Sequence, residues 1–377
     1  MAVMEAGFGG NTLILSSSGY RKAEDIIPGD SVMGRDGLFH EVVSTSEKTG
    51  KLYSIRAFSS SSFEATGNMK LLVRLRNSYV TRKSTSDYRC ITVGDLLKEE
   101  EGVPLYKKYL VALPISTAFG YPEWQGVYID RGIGPKLEKK LDVTDDRLWY
   151  LVGIFLKSGN IQKNYRKGAT TLPYTGLYIT SQLGKAESVI RQIPPSYHCT
   201  ISERSSKNTD RIDIANSELA MFMKDFGNKL SEKTCPAFVY SLPTSACRAI
   251  IAGFFRASDN ELSEYREKGR ECRMTVSNPG LALSLCYLVL KGFGIPCTVY
   301  RVKASATRTI GERTFTMGDF HQLDFKLSPT GTPQALFERG YYWHPLRLIE
   351  PIGQGKAISI STEDGNGIIG AGMVAEP

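Results

Sequence analysis

The chain carries Leu148-Trp149-Tyr150-Leu151-Val152-Gly153-Ile154-Phe155-Leu156-Lys157-Ser158-Gly159-Asn160, a helix-like apolar run that stops at a glycine. A second copy follows later, Ala249-Ile250-Ile251-Ala252-Gly253-Phe254-Phe255-Arg256-Ala257-Ser258-Asp259-Asn260, again with a glycine inside the helix and a small polar residue at its end. Glycine in a helix interior costs about 1 kcal/mol relative to alanine, so its use in both copies indicates close packing against the backbone. The two runs therefore predict paired helices that touch at Gly153 and Gly253 about a pseudo-twofold axis.

Composition favours a polyanionic partner and excludes several classes of protein. The 377 residues include 47 Lys and Arg against 39 Asp and Glu, which gives a net charge of +8 and suits a polyanion. Seven cysteines without CxxC spacing and only four histidines argue against a disulfide framework, a zinc finger or a histidine metal cage. There is no signal-peptide pattern and no run of about 18 apolar residues. We expect a nuclear or cytoplasmic protein that is neither secreted nor bound to a membrane.

The chain begins and ends in short strands, with a repeated helical unit between them. Short apolar pieces separated by turn signals extend from Asn11 to Ile55 and return from Gly340 to Pro377, a pattern typical of β-hairpins. After each glycine-bearing helix come strand-like pieces and then an amphipathic helix, Gly184 to Arg191 in the first half and Pro279 to Gly292 in the second. We expect an α+β protein.

The segment from Arg74 to Lys108 is the most basic sector of the chain, and tyrosines alternate with its charges. A solvated β face is one interpretation. A surface that follows a phosphate backbone is the other, because Lys and Arg neutralise phosphates while aromatic rings offer flat contact. The two interpretations remain open for the candidate DNA-binding residues of this sector, which are Arg74, Arg76, Arg82, Lys83, Arg89, Lys107 and Lys108.

Several blocks of the sequence resemble inteins that carry an inserted LAGLIDADG homing endonuclease. Asn11 to Leu15 and Asp30 to Gly37 resemble the first splicing block, and Phe63 to Arg74 the second. Ala357 to Pro377 resembles the last two blocks, and the two glycine-bearing helices take the place of the paired LAGLIDADG motifs. Within this family, Val32 to Gly37 resembles in particular the intein of the yeast vacuolar ATPase catalytic subunit and the mating-type switching endonuclease Ho.

The resemblance implies two domains. A mostly β, Hint-like splicing domain is expected from residues 1–135 and 335–377, with the basic sector at about 74–108 extending its DNA contacts. A LAGLIDADG endonuclease-like domain of αββαββα type is expected from residues 140–334. Its two pseudo-repeats would occupy about 140–240 and 241–334, and its saddle of strands would bind duplex DNA in the major groove.

The residues that splicing requires are missing at the matching positions. Splicing needs a Cys or Ser nucleophile at the start, a His in the second block, and a terminal His-Asn whose asparagine cyclises. Glu5, Ala6 and Gly7 stand in the region of the nucleophile, Met69 replaces the histidine, and Glu376 and Pro377 replace His-Asn. We expect protein splicing to be lost.

The acidic residues that the endonuclease requires are also missing. In LAGLIDADG enzymes each helix ends in a carboxylate that holds a divalent metal ion. Here Ser158 and Ser258 occupy these catalytic positions, and a neutral hydroxyl is a weak metal ligand. Asp259 follows Ser258 and is a candidate residual ligand. We expect cleavage to be absent or weak, and Mg²⁺ to be a cofactor only if nuclease activity persists.

Four further basic residues lie at the helix ends and on a strand of the second half. They serve either solubility or contact with DNA phosphates, and the sequence leaves these alternatives even. These residues are Lys157, Arg256, Arg301 and Lys303.

Three functional hypotheses follow from the sequence. The leading one is a monomeric, intein-derived protein that binds double-stranded DNA without splicing or cleaving. The second is an active site-specific endonuclease of the Ho type with relocated metal ligands, which would make specific double-strand breaks with Mg²⁺ or Mn²⁺. The third is a repurposed protein-interaction module, which would fail to shift genomic DNA fragments at low salt.

Overall fold

The computed structural model describes most of the chain. The described residues are 6–58, 61–76, 88–99, 103–116, 120–124, 127–129, 137–139, 141–163, 174–204, 209–257, 262, 265, 271–303, 307–310, 313–316, 319–327, 336–338, 340–365, 367–370 and 372–376. Within these ranges, no helix has both the length and the apolar character needed to cross a membrane.

The secondary structure is mixed, with β-rich ends and a helical middle. The first part holds Phe8–Gly9 (β1), Leu13–Ser16 (β2), Gly19–Lys22 (β3), Ser31–Met33 (β4), Phe39–Ala57 (β5), Ser62–Thr66 (β6), Lys70–Leu75 (β7), Tyr88–Thr92 (β8), Val93–Lys98 (α1), Leu105–Lys108 (α2) and Tyr109–Pro114 (β9). The next part holds Val127–Ile129 (β10), Leu137–Lys139 (β11), Asp146–Ser158 (α3), Gly159–Lys163 (β12), Tyr174–Gln182 (β13), Ala186–Ile190 (α4), Cys199–Arg204 (β14), Thr209–Ile214 (β15), Ser217–Met223 (α5) and Phe238–Ser241 (α6). The remainder holds Thr244–Arg256 (α7), Glu271–Val276 (β16), Pro279–Phe293 (α8), Thr298–Val302 (β17), Thr307–Ile310 (β18), Arg313–Thr316 (β19), Phe320–Lys326 (β20), Leu336–Glu338 (β21), Tyr341–Thr362 (β22), Ile368–Gly370 (β23) and Met373–Glu376 (β24).

The two ends of the chain share one antiparallel sheet system. Among the described residues, 13 strands form it, β1 to β9 together with β21 to β24. The long strands β5 and β22 pair along most of their length, and β23 and β24 insert between β2 and β7. Apolar side chains on the inner faces of these strands, such as Phe8, Ile55 and Ile360, are buried in the core. The two ends are therefore held together by backbone hydrogen bonds and by burial.

Helices α3 and α7 pack against one another at their glycines, as the sequence predicts. A Cβ built at Gly153 would lie 2.0 Å from the carbonyl oxygen of Ile250, and one at Gly253 would lie 1.9 Å from that of Tyr150. Either distance is far shorter than any real contact between a Cβ and another atom. Only glycine therefore allows the backbones of α3 and α7 to come this close. Asp145 caps the start of α3 by accepting a hydrogen bond from the backbone N–H of Arg147.

A sheet follows each of the paired helices. The first has the strand order β12-β13-β15-β14, and the second has β16-β20-β17. The first half runs helix, two strands, helix, two strands, helix, from α3 to α5. The described part of the second half runs α7, β16, α8, β17 and β20, with β18 and β19 forming a hairpin before β20. In both sheets the strand that comes last in the chain lies between two others, β15 between β13 and β14, and β20 between β16 and β17.

The helix from Pro279 is buried on nearly all sides, which corrects the expectation of an amphipathic helix. Twelve of the fifteen residues of α8 are buried, including Ser284 and Lys291. One side of α8 contacts β17 and β20, and another contacts β3 of the terminal sheet system. Because several elements pack around α8, a helix that is apolar on nearly all sides is stable here. The ammonium group of Lys291 donates to the carbonyl oxygen of Tyr240 at 2.6 Å, and burial lowers its pKa to about 8.

Candidate nucleic-acid interface

The sheet that follows α3 has one apolar face and one polar face. Leu177, Ile179 and Ile212 are buried on the side of the helices. The alternating positions Gln162, Tyr178, Arg211 and Asp213 lie on the opposite face, because side chains alternate along a strand. Thr200 and Ser202 of β14 pair with Asp213 and Arg211 and extend this face. It is the polar face of the first sheet that is open to a ligand.

Asp213 organises the polar face of the first sheet. Its Oδ1 accepts a hydrogen bond from Nε of Arg211 at 2.7 Å, and it also accepts one from the amide of Gln162. The guanidinium carbon of Arg211 lies 4.1 Å from the centroid of the Tyr178 ring. The arginine is thus held between a carboxylate and an aromatic face, with part of its side chain reaching solvent.

The second sheet carries a similar group around Asp324. Its carboxylate accepts from Nε of Arg273 at 3.1 Å and from the amide of Gln322 at 3.0 Å. The hydroxyl of Tyr300 donates to the same carboxylate. Cys272, Met274 and Leu323 are buried on the other face, towards the helices. The polar face of this sheet is exposed at Arg273, Thr275, Thr298 and Tyr300.

The two polar faces therefore contain the same four residue types. Each has one Asp that orients one Arg and one Gln, with one Tyr beside them. In both sheets the Asp lies on the described strand that comes last in the chain, β15 or β20. Arg and Gln are the side chains that recognise guanine and adenine edges by paired hydrogen bonds. The positive charge of each Arg is neutralised by the paired Asp. These faces therefore suit recognition of base edges better than neutralisation of phosphates.

Ser158 ends α3 without the environment of a metal ligand. Its hydroxyl donates to the carbonyl oxygen of Ile154 at 3.4 Å, within its own helix. Ser258 and Asp259 lie outside the described residues. Along the described last turns of α3 and α7, from Phe155 to Ser158 and from Gly253 to Arg256, no carboxylate occurs. A hydroxyl beside a lysine does not fit Mg²⁺, which prefers carboxylate oxygens.

Lys157 and Arg256 connect the two halves of the middle region. Lys157 extends from α3 to the second sheet, where its ammonium donates to the carbonyl oxygen of Thr275 at 2.8 Å. Arg256 extends from α7 to the first half, where it donates to the hydroxyl of Ser188 at 2.6 Å. Burial lowers the pKa of Lys157. Both residues were candidates for phosphate contact, and the structure instead places them in contacts between the halves.

Replacement of Lys157 by methionine is expected to lower the free energy of unfolding by about 1–2 kcal/mol. The methionine keeps the apolar stem but leaves the Thr275 carbonyl without its charged donor. Urea unfolding of the variant checks this value, and Lys163→Met, at an exposed position on β12, is the matched control. An unchanged midpoint for Lys157→Met would show that this contact contributes nothing to stability.

The basic sector is less available than its composition indicates. Arg74 is 3% exposed, forms an ion pair with Glu338 at 2.8 Å and lies over the ring of Trp343, so its guanidinium group already has partners within the protein. Arg76 and Lys108 donate to the carbonyl oxygens of Tyr106 and Glu99. Among the described candidates of this sector, Arg89 and Lys107 are exposed. Arg82 and Lys83 lie outside the described residues.

Arg301 and Lys303 lie at the edge of the second sheet. Arg301 is exposed and forms an ion pair with Asp319, to which its Nε donates at 2.9 Å. It shares the face of Val299 and not that of Tyr300, since side chains alternate along β17. Lys303 is exposed just beyond β17. These two residues therefore do not lie on the polar face around Asp324.

The positions that the sequence resemblance matches to splicing residues are occupied by side chains that are buried or paired. Met69 is fully buried in the core of the terminal sheet system. The carboxylate of Glu376 accepts a hydrogen bond from Arg35 at 2.6 Å. Pro377 lies outside the described residues. Neither Met69 nor Glu376 can act as an acyl-shift catalyst or as a cyclising amide.

No sequence pattern predicts that a lysine is buried beside α3. Lys233 is fully buried, donates to the carbonyl oxygen of Gly227 at 3.0 Å and has its ammonium 3.2 Å from the centroid of the Phe155 ring. Burial lowers its pKa to about 6. A single lysine in a polar loop is unremarkable in sequence, so only the tertiary structure identifies this group.

The stability of the protein is expected to rise with pH because of Lys233. Its ordinary pKa is 10.5 and its folded-state pKa is about 6, so between these values the unfolded state binds one more proton and unfolding becomes less favourable as pH rises. Lys233→Met should remove this contribution. Urea unfolding at pH 6.5 and pH 9.5 measures the free energy of unfolding of the variant and of the original protein. The variant's free energy of unfolding, relative to that of the original protein, should be higher at pH 6.5 than at pH 9.5. A difference that is independent of pH would contradict the assignment.

Comparison with known proteins gives weak likenesses. The chain matches no family model and no curated protein. Among solved structures, the chain is similar to the homing endonuclease I-DmoI in complex with DNA and Ca, at 14% identity over 48% of this chain and 83% of that chain, with a TM-score of 0.31. It is also similar to the gp41-1 intein, at 13% identity over 29% of this chain and 70% of that chain, with a TM-score of 0.21. Likenesses this low carry no argument about function.

Proposed function

We propose that this chain is an intein-derived, homing-endonuclease-like protein that binds double-stranded DNA and has lost both protein splicing and DNA cleavage. In this proposal residues 140–334 form a pseudo-symmetric LAGLIDADG-type domain inserted into a Hint-like β domain. The protein acts as a monomer in the nucleus or cytoplasm.

The observation that carries the proposal is the repetition of one polar group on two sheets. The groups around Asp213 and Asp324 lie on the faces turned away from the apolar layer, beside helices that are locked together at Gly153 and Gly253. Strands that present Arg, Gln and Tyr in fixed orientations suit the major groove, where hydrogen-bonding patterns differ for every base pair. Two such faces suit two neighbouring parts of one duplex.

Affinity in the proposal comes from basic residues outside these faces. The net charge is +8, whereas the pairs Arg211–Asp213 and Arg273–Asp324 contribute no net charge. Exposed Arg89 and Lys107 are candidates for phosphate contact from the terminal domain. Charge of this kind gives binding that weakens steeply with salt.

Loss of splicing and cleavage is proposed from the side chains that stand at the chemical positions. Met69 is buried and Glu376 is paired with Arg35. On α3, Ser158 bonds to its own helix while Lys157 lies beside it. The positive charge of Lys157 disfavours a metal ion, and the neutral hydroxyl of Ser158 binds one weakly. We therefore expect a divalent cation to have low affinity for this end of α3.

The test is selection of bound sequences from randomised duplex DNA, followed by a salt titration and a metal-dependent nicking assay on the selected site. We expect a defined site, an affinity that falls by orders of magnitude between low and physiological salt, and an intact duplex with Mg²⁺ or Mn²⁺. Binding that is indifferent to salt would contradict the DNA-binding proposal. A specific double-strand break would contradict the loss of cleavage, and failure to enrich any DNA would favour a protein-interaction module.

A further inference from the structure

Three side chains from opposite ends of the sequence meet at the surface of the terminal sheet system. Asp36 lies in the turn between β4 and β5, His40 lies on β5, and Asp364 lies in the turn after β22. Their potential ligand atoms all fall within 4.8 Å of one another. Pairing of β5 with β22 brings these segments together, since the backbone N–H of Glu363 donates to the carbonyl oxygen of Glu41. None of these residues belongs to the proposed DNA-binding faces.

Both ring nitrogens of His40 face carboxylates. Nε2 lies 2.9 Å and 3.0 Å from the two oxygens of Asp36, and Nδ1 lies 3.3 Å from Oδ2 of Asp364. A neutral imidazole carries a single N–H, so one nitrogen must direct its lone pair at a carboxylate. That arrangement is repulsive unless a cation joins the nitrogen and the oxygen. A proton or a metal ion can fill this position.

When Nδ1 carries the proton it can donate to Oδ2 of Asp364, and the lone pair of Nε2 then faces Asp36 as a metal ligand. Asp364 accepts a hydrogen bond from Thr362 through Oδ1, which directs its Oδ2 to Nδ1. A histidine that binds a metal ion commonly donates its other N–H to a carboxylate in this way. The His40 ring is also fixed by packing, because a Cβ at Gly34 would lie 2.7 Å from ring atom Cδ2.

The spacing between His40 and Asp36 is that of a hydrogen bond, and it is also compatible with a transition-metal ion bound to both residues. Two ligand atoms that are each about 2.0–2.1 Å from Zn²⁺ lie about 2.9–3.3 Å apart at bond angles of about 90–109°. The observed separations between Nε2 and the Asp36 oxygens are 2.9 Å and 3.0 Å. Asp36 is held in place because its Oδ1 accepts from the backbone N–H of Leu38 at 3.0 Å. The side chain of Asp36 is 37% exposed, which leaves room for water to complete the coordination.

We infer that Asp36 and His40 bind a divalent transition-metal ion such as Zn²⁺, with Asp364 as the residue that orients the imidazole. One imidazole and one carboxylate suit Zn²⁺, Co²⁺ or Ni²⁺ better than Mg²⁺, which prefers oxygen ligands. The bound ion would join the β4–β5 turn to the C-terminal hairpin, where the backbone N–H of Arg35 already donates to the carbonyl oxygen of Gly367 at 2.8 Å. Its effect is to stabilise the closure of the two chain ends, independently of any DNA.

Calorimetric titration of the metal-free 377-residue chain with Zn²⁺ tests the inference, with thermal unfolding as a second measurement. We expect one site with a dissociation constant below the millimolar range and a higher melting temperature in its presence. Asp36→Asn and His40→Gln should abolish both effects, and Asp364→Asn should weaken binding by about 10–100-fold. Asn at position 36 keeps the acceptor for the Leu38 N–H, so the turn should persist.

The matched control is Glu363→Gln, which removes a negative charge beside the site from a side chain that the cluster does not include. Its Zn²⁺ affinity should stay within about twofold of the original. Seven cysteines offer a competing class of ligand, and Co²⁺ distinguishes them because thiolate ligands give an intense charge-transfer absorption that imidazole and carboxylate do not. Binding that survives Asp36→Asn and His40→Gln, a thiolate absorption band, or the absence of binding would each overturn the inference.

Discussion

Replacement of Gly253 by alanine is expected to lower the free energy of unfolding by about 3 kcal/mol or more. The new Cβ would lie 1.9 Å from the carbonyl oxygen of Tyr150. A backbone carbonyl cannot rotate away as the end of a side chain can, so α3 and α7 must separate and lose apolar contact, and overpacking of this kind commonly costs about 1–3 kcal/mol or more. Alanine is the better helix former by about 1 kcal/mol, which does not offset the loss. Urea unfolding followed by circular dichroism measures the result.

The matched control is Gly120→Ala, because a Cβ built there meets no atom within 4 Å. It should leave the unfolding midpoint nearly unchanged. Gly153→Ala should behave like Gly253→Ala, since its Cβ would lie 2.0 Å from the carbonyl oxygen of Ile250. A protein that tolerates alanine at both helical glycines would show that the helices are not packed as the structure has them.

Removal of Arg211 and Arg273 together is expected to weaken binding to the selected duplex by about 100-fold or more. Each oriented arginine contributes about 1–3 kcal/mol of base discrimination, and about 1.4 kcal/mol corresponds to a factor of ten. The salt dependence should change little, because these arginines are paired with Asp213 and Asp324 and are assigned to bases. Fluorescence anisotropy with the selected duplex at several salt concentrations measures both quantities.

Arg191→Ala is the control for this double replacement. Arg191 is exposed at the end of α4, on the helical side of the first sheet, and its partner Glu187 is 3.9 Å away. Loss of its charge should change the affinity less than about threefold. If Arg191→Ala weakens binding as much as the loss of Arg211 and Arg273, the polar faces are not the recognition surface.

Local patterns in the sequence predicted the elements that organise the middle of the chain. An apolar run that contains a glycine predicts a helix whose backbone another helix can approach closely. The repetition of this run predicts that the second copy is the helix that packs there. The β character of the two ends also follows from local turn signals. In the groups around Asp213 and Asp324, two members of each lie two residues apart on one strand, Arg211 with Asp213 and Gln322 with Asp324. The other members come from strands that are distant in sequence and join them only in the folded sheet, so no local pattern predicts the groups.

The tertiary structure determines which groups the basic side chains contact and which of these side chains reach solvent. Lys157 meets a backbone carbonyl 118 positions away, and Arg74 meets Glu338, 264 positions away. Burial and ion pairing depend on such distant partners, so a count of charges predicts a basic sector but not which charges reach solvent. The same reason explains why the sequence does not show that Asp364 joins Asp36 and His40, which lie only four residues apart. By itself the sequence determined the paired helices and the β ends, because periodicity and glycine act within a few residues. Only the tertiary structure decided which side chains are available for chemistry, since availability depends on what the rest of the chain places against them.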